Sequence, residues 1–150
     1  MKKLILAFSC VLLLVSCGDD KSEREFIIFG HIYGFCFGEQ CIELFKLTDD
    51  ALYEDRKDEY QASEFDFERL DDSTFEEVKD LKAFFPEELL DDDRTIIGCP
   101  DCYDQGGYYI EVEENGIKRS WFIDTNKADV PEYLHNFLDR ISDKIELINN

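Results

Sequence analysis

Residues 99–125 constrain the fold of this 150-residue chain more than any other stretch. The pair Asn115-Gly116 suits a two-residue type I′ turn, because both central positions of that turn need a positive φ. A hairpin in this register pairs Val112 with Arg119, Ile110 with Trp121 and Tyr108 with Ile123. One face is apolar and should face the core: Tyr108, Ile110, Val112, Trp121 and Ile123. The other face is mixed: Tyr109, Glu111, Glu113, Lys118, Ser120 and Phe122.

Shorter segments predict further strands. Residues 26–37 are almost wholly apolar and predict a buried strand that ends near Cys36. After a loop at residues 37–40, residues 41–47 should return antiparallel, and residues 51–55 should form a third strand. Residues 56–72 have charges without a period and predict a loop or a ragged edge. Residues 94–98 predict one more short strand before the hairpin.

Two amphipathic helices are predicted. Ser73 and Glu76 have the spacing of a capping box, and Pro86 should end the helix that follows. Asp129 is expected to cap the last helix, with Pro131 in its first turn. The first helix has apolar residues at helical spacing: Phe75, Val78, Leu81 and Phe85. The last has one continuous apolar stripe: Leu134, Phe137, Leu138, Ile141, Ile145 and Ile148.

This order of elements predicts an α+β fold. We expect an antiparallel sheet of about five to six strands, with the two amphipathic helices packed on one face. Residues 26–150 are long enough for a single domain of this kind.

The first 17 residues indicate export. Lys2 and Lys3 precede an apolar run at residues 4–15, which is shorter than the roughly 20 residues that a membrane span needs. The run ends in Leu14-Val15-Ser16-Cys17, which resembles the lipobox of bacterial lipoproteins. The resemblance implies cleavage before Cys17, with diacylglycerol on its sulfur and a fatty acyl group on the new amine. Residues 1–16 are then a signal peptide and residues 17–25 an acidic tether; the alternative is an ordinary cleaved signal peptide.

The same resemblance implies a location. Gly18, rather than Asp, follows the cysteine, so the familiar signal for retention in the inner membrane is absent. The protein is therefore expected in the outer membrane, anchored by the lipid on Cys17, on the periplasmic or the cell-surface side. The acidic residues 18–20 resemble an export tag, although a flexible tether explains them equally well.

The net charge of the chain limits the classes of molecule that can be its partner. The chain has 36 acidic and 16 basic residues, for a formal net charge of −20. Such a surface repels phosphates, which argues against nucleic acid as a partner. It suits a protein partner with a basic surface.

Four cysteines remain once Cys10 is removed with the signal peptide and Cys17 carries lipid. In an oxidising compartment they predict two disulfides, and of three possible connectivities we favour Cys36–Cys41 with Cys99–Cys102. One alternative is a zinc site with four thiolate ligands. Another is redox catalysis by the Cys99-x-x-Cys102 motif, which requires the first sulfur at a helix N-terminus. The residues after Cys102 continue a helix poorly, which favours a structural disulfide without metal or cofactor.

Apart from the Cys99-x-x-Cys102 motif, the sequence contains no catalytic motif, and we do not expect an enzyme. His31 lies in an apolar strand and His135 on the outer side of the last helix, and neither neighbours a nucleophile motif.

The succession of elements over residues 26–148 resembles small bacterial inhibitors of the emfourin type. It comprises an early hairpin with the turn at residues 33–38, a middle helix, the hairpin with Tyr108-Tyr109-Ile110 and Trp121-Phe122-Ile123-Asp124, and a helix after Pro131. The chain also resembles small envelope lipoproteins with paired cysteines. We therefore expect a lipid-anchored, non-catalytic binding or interaction module of the cell envelope, with protease inhibition as one specific version of that role. The alternative is an envelope thiol-redox or zinc-binding protein that uses Cys99 and Cys102.

Overall fold

The computed structural model describes residues 24–36, 41–60, 62 and 64–150. Within them, seven strands form one sheet in the order β4-β3-β2-β1-β6-β7-β5. The strands are β1 (Arg24–Ile32), β2 (Ile42–Leu47), β3 (Leu52–Asp55), β4 (Phe67–Arg69), β5 (Ile96–Ile97), β6 (Gly107–Glu114) and β7 (Ile117–Asp124). The two α-helices are α1 (Asp72–Val78) and α2 (Glu132–Ile148).

The α+β fold is confirmed, but the sheet differs in detail from the prediction. It has seven strands instead of five to six, and it is mixed because β5 runs parallel to β7 while all other neighbours are antiparallel. Strands β4 and β5 have three and two residues, too few to show a period of two in the sequence. They lie at the two edges of the sheet.

Strand β1 lies at the centre of the sheet, where both faces of a strand are covered, and neither of its faces is polar. It pairs with β2 on one side and β6 on the other, and residues 26–30 are buried. Gly30 lets β2 approach: a Cβ atom there would lie 1.8 Å from the carbonyl oxygen of Glu43. The strand begins at Arg24, earlier than predicted, and ends at Ile32.

The predicted hairpin register is confirmed at every pair. Val112 lies opposite Arg119, Ile110 opposite Trp121 and Tyr108 opposite Ile123. Asn115 and Gly116 have φ angles of 53° and 72°, as a type I′ turn requires.

The core lies on both faces of the sheet. On one face, α1, α2 and the 3₁₀ segments Lys79–Phe84 and Glu87–Asp91 pack on strand residues that include Phe29, Phe45 and Trp121. All predicted stripe residues of α2 belong to this cluster, with Ile148 partly buried. The other face has a smaller cluster made of Phe26, Ile28, Ile32, Cys41, Ile42 and Leu44, covered by partly buried side chains that include Phe65, Phe67, Tyr109 and Phe122.

Both predicted helix caps were wrong by two residues. Asp71, not Ser73, caps α1: its Oδ1 accepts a hydrogen bond of 2.9 Å from the Thr74 amide. A carboxylate accepts a hydrogen bond from a backbone amide more strongly than a serine hydroxyl does. The Ser73 hydroxyl itself donates to Asp71. Helix α2 has Pro131 at its N-cap, whereas Asp129 belongs to the preceding 3₁₀ turn Lys127–Asp129.

Among the described residues, no helix is both long enough and apolar enough to cross a membrane. The predicted signal peptide, Cys17 and most of the tether lie outside the described residues.

Trp121 and Phe122 test which face of the hairpin carries more of the core. Trp121→Ala should lower the free energy of unfolding by about 3–5 kcal/mol, because the side chain is fully packed under the helices. Phe122→Ala should cost about 1–2 kcal/mol, because that ring is half-buried in the smaller cluster. Urea denaturation of both variants measures the difference, and a larger loss for Phe122→Ala would contradict this packing.

Candidate functional site

Two disulfides close loops at one end of the sheet. Cys36 pairs with Cys41 and Cys99 with Cys102, each with a Cα–Cα distance of 5.5 Å, which is the favoured connectivity. The first bridge lies between the end of β1 and the start of β2, and the second lies just before β6. We call residues 33–36, 56–60 and 98–106 the disulfide end.

The carboxylate of Asp101 ties three loops of the disulfide end together. Its Oδ2 accepts hydrogen bonds from the amide of Gly34 (2.9 Å) and from the hydroxyl of Tyr60 (3.0 Å). Its Oδ1 accepts one from the amide of Gly106 (3.0 Å), within its own loop. Asp101 lies inside the Cys99–Cys102 ring, so the disulfide fixes the residue that joins the other loops.

A second aspartate holds the same turn onto β7. Asp124 is buried and accepts hydrogen bonds from the amides of Cys99 (2.8 Å) and Asn126 (2.8 Å) and from the side chain of Gln105 (3.3 Å). Burial opposes the charged form of Asp124, but these donors together outweigh it, so its pKa lies below the ordinary value for an aspartate. The turn is therefore anchored at both of its ends.

Three large aromatic side chains are exposed on these loops. Phe35 is 77% exposed, Tyr103 is 87% exposed and Tyr60 is 46% exposed. We call these three residues the aromatic surface. The sequence has no lysine or arginine from residue 96 to residue 114, whereas Asp101 and Asp104 lie beside Tyr103. Aromatic faces beside carboxylates favour cationic ligands.

The arrangement of the cysteines bears on the two alternatives, a thiol-redox site and a zinc site. Residues 98–106 contain no helix, so Cys99 is not at a helix N-terminus of the kind that activates a thiol. The four cysteines form two bridges, and the described residues contain no group of three or more His, Cys, Asp or Glu side chains suited to a metal ion.

Among the described residues, neither histidine is hydrogen-bonded to a serine or cysteine that could act as a nucleophile. His31 packs against Tyr33 and Tyr108, with ring centroids 5.9 and 4.4 Å away. Burial lowers the pKa of His31 to about 4, and its Nε2 atom has no hydrogen-bond partner among the described residues. His135 is half-buried, and its Nε2 atom lies 3.2 Å from the carbonyl oxygen of Val130.

Sequence reasoning found the cysteines but missed Asp101 and Asp124. The available signal was their position: each lies in or directly before a tight turn, where an aspartate commonly accepts backbone amides. Asp101 also has a positive φ of 59°, which aspartate tolerates better than most residues. Which distant loop such an aspartate joins depends on tertiary packing.

No protein family model matches this sequence, and no curated protein matches it. The roles of these residues therefore follow from their geometry.

Asp101 and Asp104 form a matched pair for testing the connection between the loops. Both are aspartates with φ of 59° in the same loop, but in the described part of the chain the Asp104 side chain has no hydrogen bond to another loop. Replacement by alanine strains both positions alike, so the difference isolates the hydrogen bonds. Asp101→Ala should reduce the free energy of unfolding by about 2 kcal/mol more than Asp104→Ala, measured in urea. Equal losses would show that the three hydrogen bonds contribute nothing.

His31 should make stability depend on pH. Its pKa is about 4 in the folded protein, against about 6.5 in the unfolded chain, so the unfolded state binds the proton more readily. The free energy of unfolding should therefore be highest above pH 6.5. It should fall by about 3 kcal/mol in total as the pH drops through the folded-state pKa of about 4. His31→Phe should flatten this part of the curve of unfolding free energy against pH. Parallel curves for the variant and the wild type would refute the assignment.

Proposed function

We propose that this protein is a lipid-anchored binding module of the bacterial cell envelope, which holds a protein partner and does not catalyse a reaction. The observation that carries the proposal is the aromatic surface: Phe35, Tyr60 and Tyr103 are exposed on loops that two disulfides and Asp101 brace. Exposed aromatic residues on a preorganised surface are typical of the central contacts in protein interfaces.

The charge around the aromatic surface supports a basic partner. The net charge of the chain is −20, residues 96–114 have no cation, and the two cations of the disulfide end are ion-paired, Arg56 with Glu68 (2.9 Å) and Lys57 with Glu64. Lysine and arginine side chains of a partner would meet both the carboxylates and the aromatic rings. The long-range field would also accelerate association with a basic protein.

The position of the aromatic surface suits an anchored protein. The proposed lipid on Cys17 precedes Arg24, the first residue of β1, whereas the disulfide end follows Ile32, its last residue. At about 3.3 Å per residue, this strand separates the two ends by roughly 26 Å. Arg24, where the described domain begins, therefore lies at the opposite end of β1 from the disulfide end, which supports a surface that a partner can reach.

The absence of catalysis is part of the proposal. His31 is held neutral at pH 7 and is not hydrogen-bonded to a serine or cysteine in the described residues, and the hydroxyl of Ser142 is paired with that of Tyr108 at 2.7 Å. Cys99 and Cys102 are bonded to each other. Within the described residues, these pairings leave His31, Ser142, Cys99 and Cys102 outside any pair of nucleophile and histidine base.

Site-specific photo-crosslinking tests the binding proposal. A photoreactive phenylalanine analogue at position 103, in lipidated protein in the native cells, should yield a protein adduct whose crosslinked peptide carries lysine or arginine. The analogue at position 83, an exposed alanine in the 3₁₀ segment Lys79–Phe84, is the matched control. Phe35→Ser should remove the adduct at position 103. Equal adducts at both positions, or adducts only to polysaccharide, would refute this partner.

Cys17→Ala tests the anchor. The variant should take up no fatty-acid analogue in metabolic labelling and should leave the membrane fraction, because both acylations need this residue. Cys10→Ala is the matched control and should keep its label, since Cys10 lies within the proposed signal peptide. Label that persists on Cys17→Ala would contradict the lipobox interpretation.

A further inference from the structure

In the described residues, the outer edge of β7 is paired with another strand at one end and unpaired over the rest. Strand β5 pairs with it at Ile96–Phe122 and Ile97–Ile123 and nowhere else. In the described part of the chain, no strand pairs with residues 117–121 on that side. Two exposed apolar residues, Ile96 and Ile117, flank this open stretch. An unpaired strand edge is a template for pairing with another extended chain.

The register shows which backbone groups point outward. The amide of Phe122 donates to the carbonyl oxygen of Thr95 (2.8 Å), on the β5 side. Since backbone groups alternate along a strand, the N–H and C=O groups of Lys118 and Ser120 point to the same open side. Ile117, Arg119 and Trp121 direct theirs to β6 instead.

A groove runs along this open edge. Its volume is about 540 Å³, and residues 90–95 form one wall while residues 118–121 form the other. That volume falls within the range of ligand pockets, about 300–1,000 Å³. The groove therefore provides space for a short extended segment beside β7.

The charges of the groove favour a cationic occupant. Its three cations already have partners: Arg94 pairs with Asp92 (2.5 Å), Arg119 donates to the carbonyl oxygen of Leu90, and Lys118 lies 3.6 Å from Glu113. Asp92 also accepts from the hydroxyl of Tyr133 at 2.9 Å. By contrast, the exposed carboxylates of Asp91 and Asp93 have no hydrogen-bond or ion-pair partner among the described residues. The charge left without a partner is negative.

We propose that this groove binds an extended, lysine- or arginine-bearing peptide segment of a partner protein, which adds to the sheet beside β7. Backbone pairing with Lys118 and Ser120 holds the segment, and its alternate side chains bring cations to Asp91 and Asp93. The groove is distinct from the aromatic surface, so this proposal does not depend on that one. A second copy of this chain suits the edge less well, because two chains of net charge −20 repel each other.

Amide hydrogen exchange with a defined peptide tests the proposal. The probe is the blocked peptide Lys-Val-Lys-Val-Lys, and the control is Lys-Pro-Lys-Pro-Lys, which has the same charge but lacks backbone donors at the prolines. The first peptide should slow exchange at Lys118 and Ser120 by at least about fivefold, with no change at Ile117 and Arg119, whose amides already face β6. The proline peptide should bind at least about fivefold more weakly.

Two variants separate backbone pairing from charge. Ser120→Pro removes the outward N–H but leaves the β6 pairing intact, and it should weaken the first peptide about fivefold to tenfold. The double variant Asp91→Asn/Asp93→Asn keeps the fold and should weaken the peptide about threefold or more, with a shallower dependence on salt. If Ser120→Pro does not fold, the affinity of the double variant and the alternating exchange pattern still test whether the peptide pairs with β7.

Three results would overturn the proposal. The first is equal affinity for the two peptides, which would indicate attraction by charge alone. The second is an exchange change without alternation along residues 117–120. The third is protection of Lys118 and Ser120 that rises with protein concentration in the absence of peptide, because a second copy would then cover the edge.

Discussion

Strand β1 is the constraint on which the rest of the fold depends. It is the central strand of the sheet, paired with β2 and β6 along its two edges, and residues 26–30 are buried. Both of its faces must therefore be covered. The helices cover one face, and the cluster around Phe65 and Phe67 covers the other. Burial of this kind contributes about 1.5–3 kcal/mol for each large side chain.

The direction of β1 also determines where functional groups lie. Its first residue, Arg24, lies at the end of the proposed tether, and its last residue, Ile32, leads into the disulfide end. There, Asp101 connects the loops of Gly34 and Tyr60 to its own. Each hydrogen bond is worth only about 1 kcal/mol. Their effect is geometric, because loops joined at one carboxylate hold their aromatic residues in a fixed arrangement, and such preorganisation would lower the entropic cost of the proposed binding.

Sequence reasoning worked where a periodic pattern and a turn signal agreed. Both strands of the second hairpin alternate around Asn115-Gly116, so one register alone buries the apolar face, and the structure has that register. The apolar stripe of α2 was equally clear. The disulfide pairing followed from short spacings, since nearby cysteines at the ends of turns meet readily.

The features that the sequence did not predict depend on contacts between residues that are distant in the chain. Strand β5 has two residues, and its parallel pairing with β7 depends on the path of residues 87–95, which no local pattern encodes. The α1 cap was missed because Asp71, two residues earlier, accepts the Thr74 amide, and the Ser73 hydroxyl donates to the same carboxylate instead of capping the helix. Asp101 has an acidic side chain in a turn, a common feature, and only the folded chain shows that Gly34 and Tyr60 meet it.

The central claim is that Asp101 braces the loops of the disulfide end, and amide hydrogen exchange tests it most directly. Gly34 and Gly116 are both exposed glycines in turns, but only the amide of Gly34 donates to a carboxylate in the described structure. The account predicts that the Gly34 amide exchanges at least about tenfold more slowly than that of Gly116 after correction for sequence effects. Equal exchange rates would contradict it, because the loops would then move independently of Asp101.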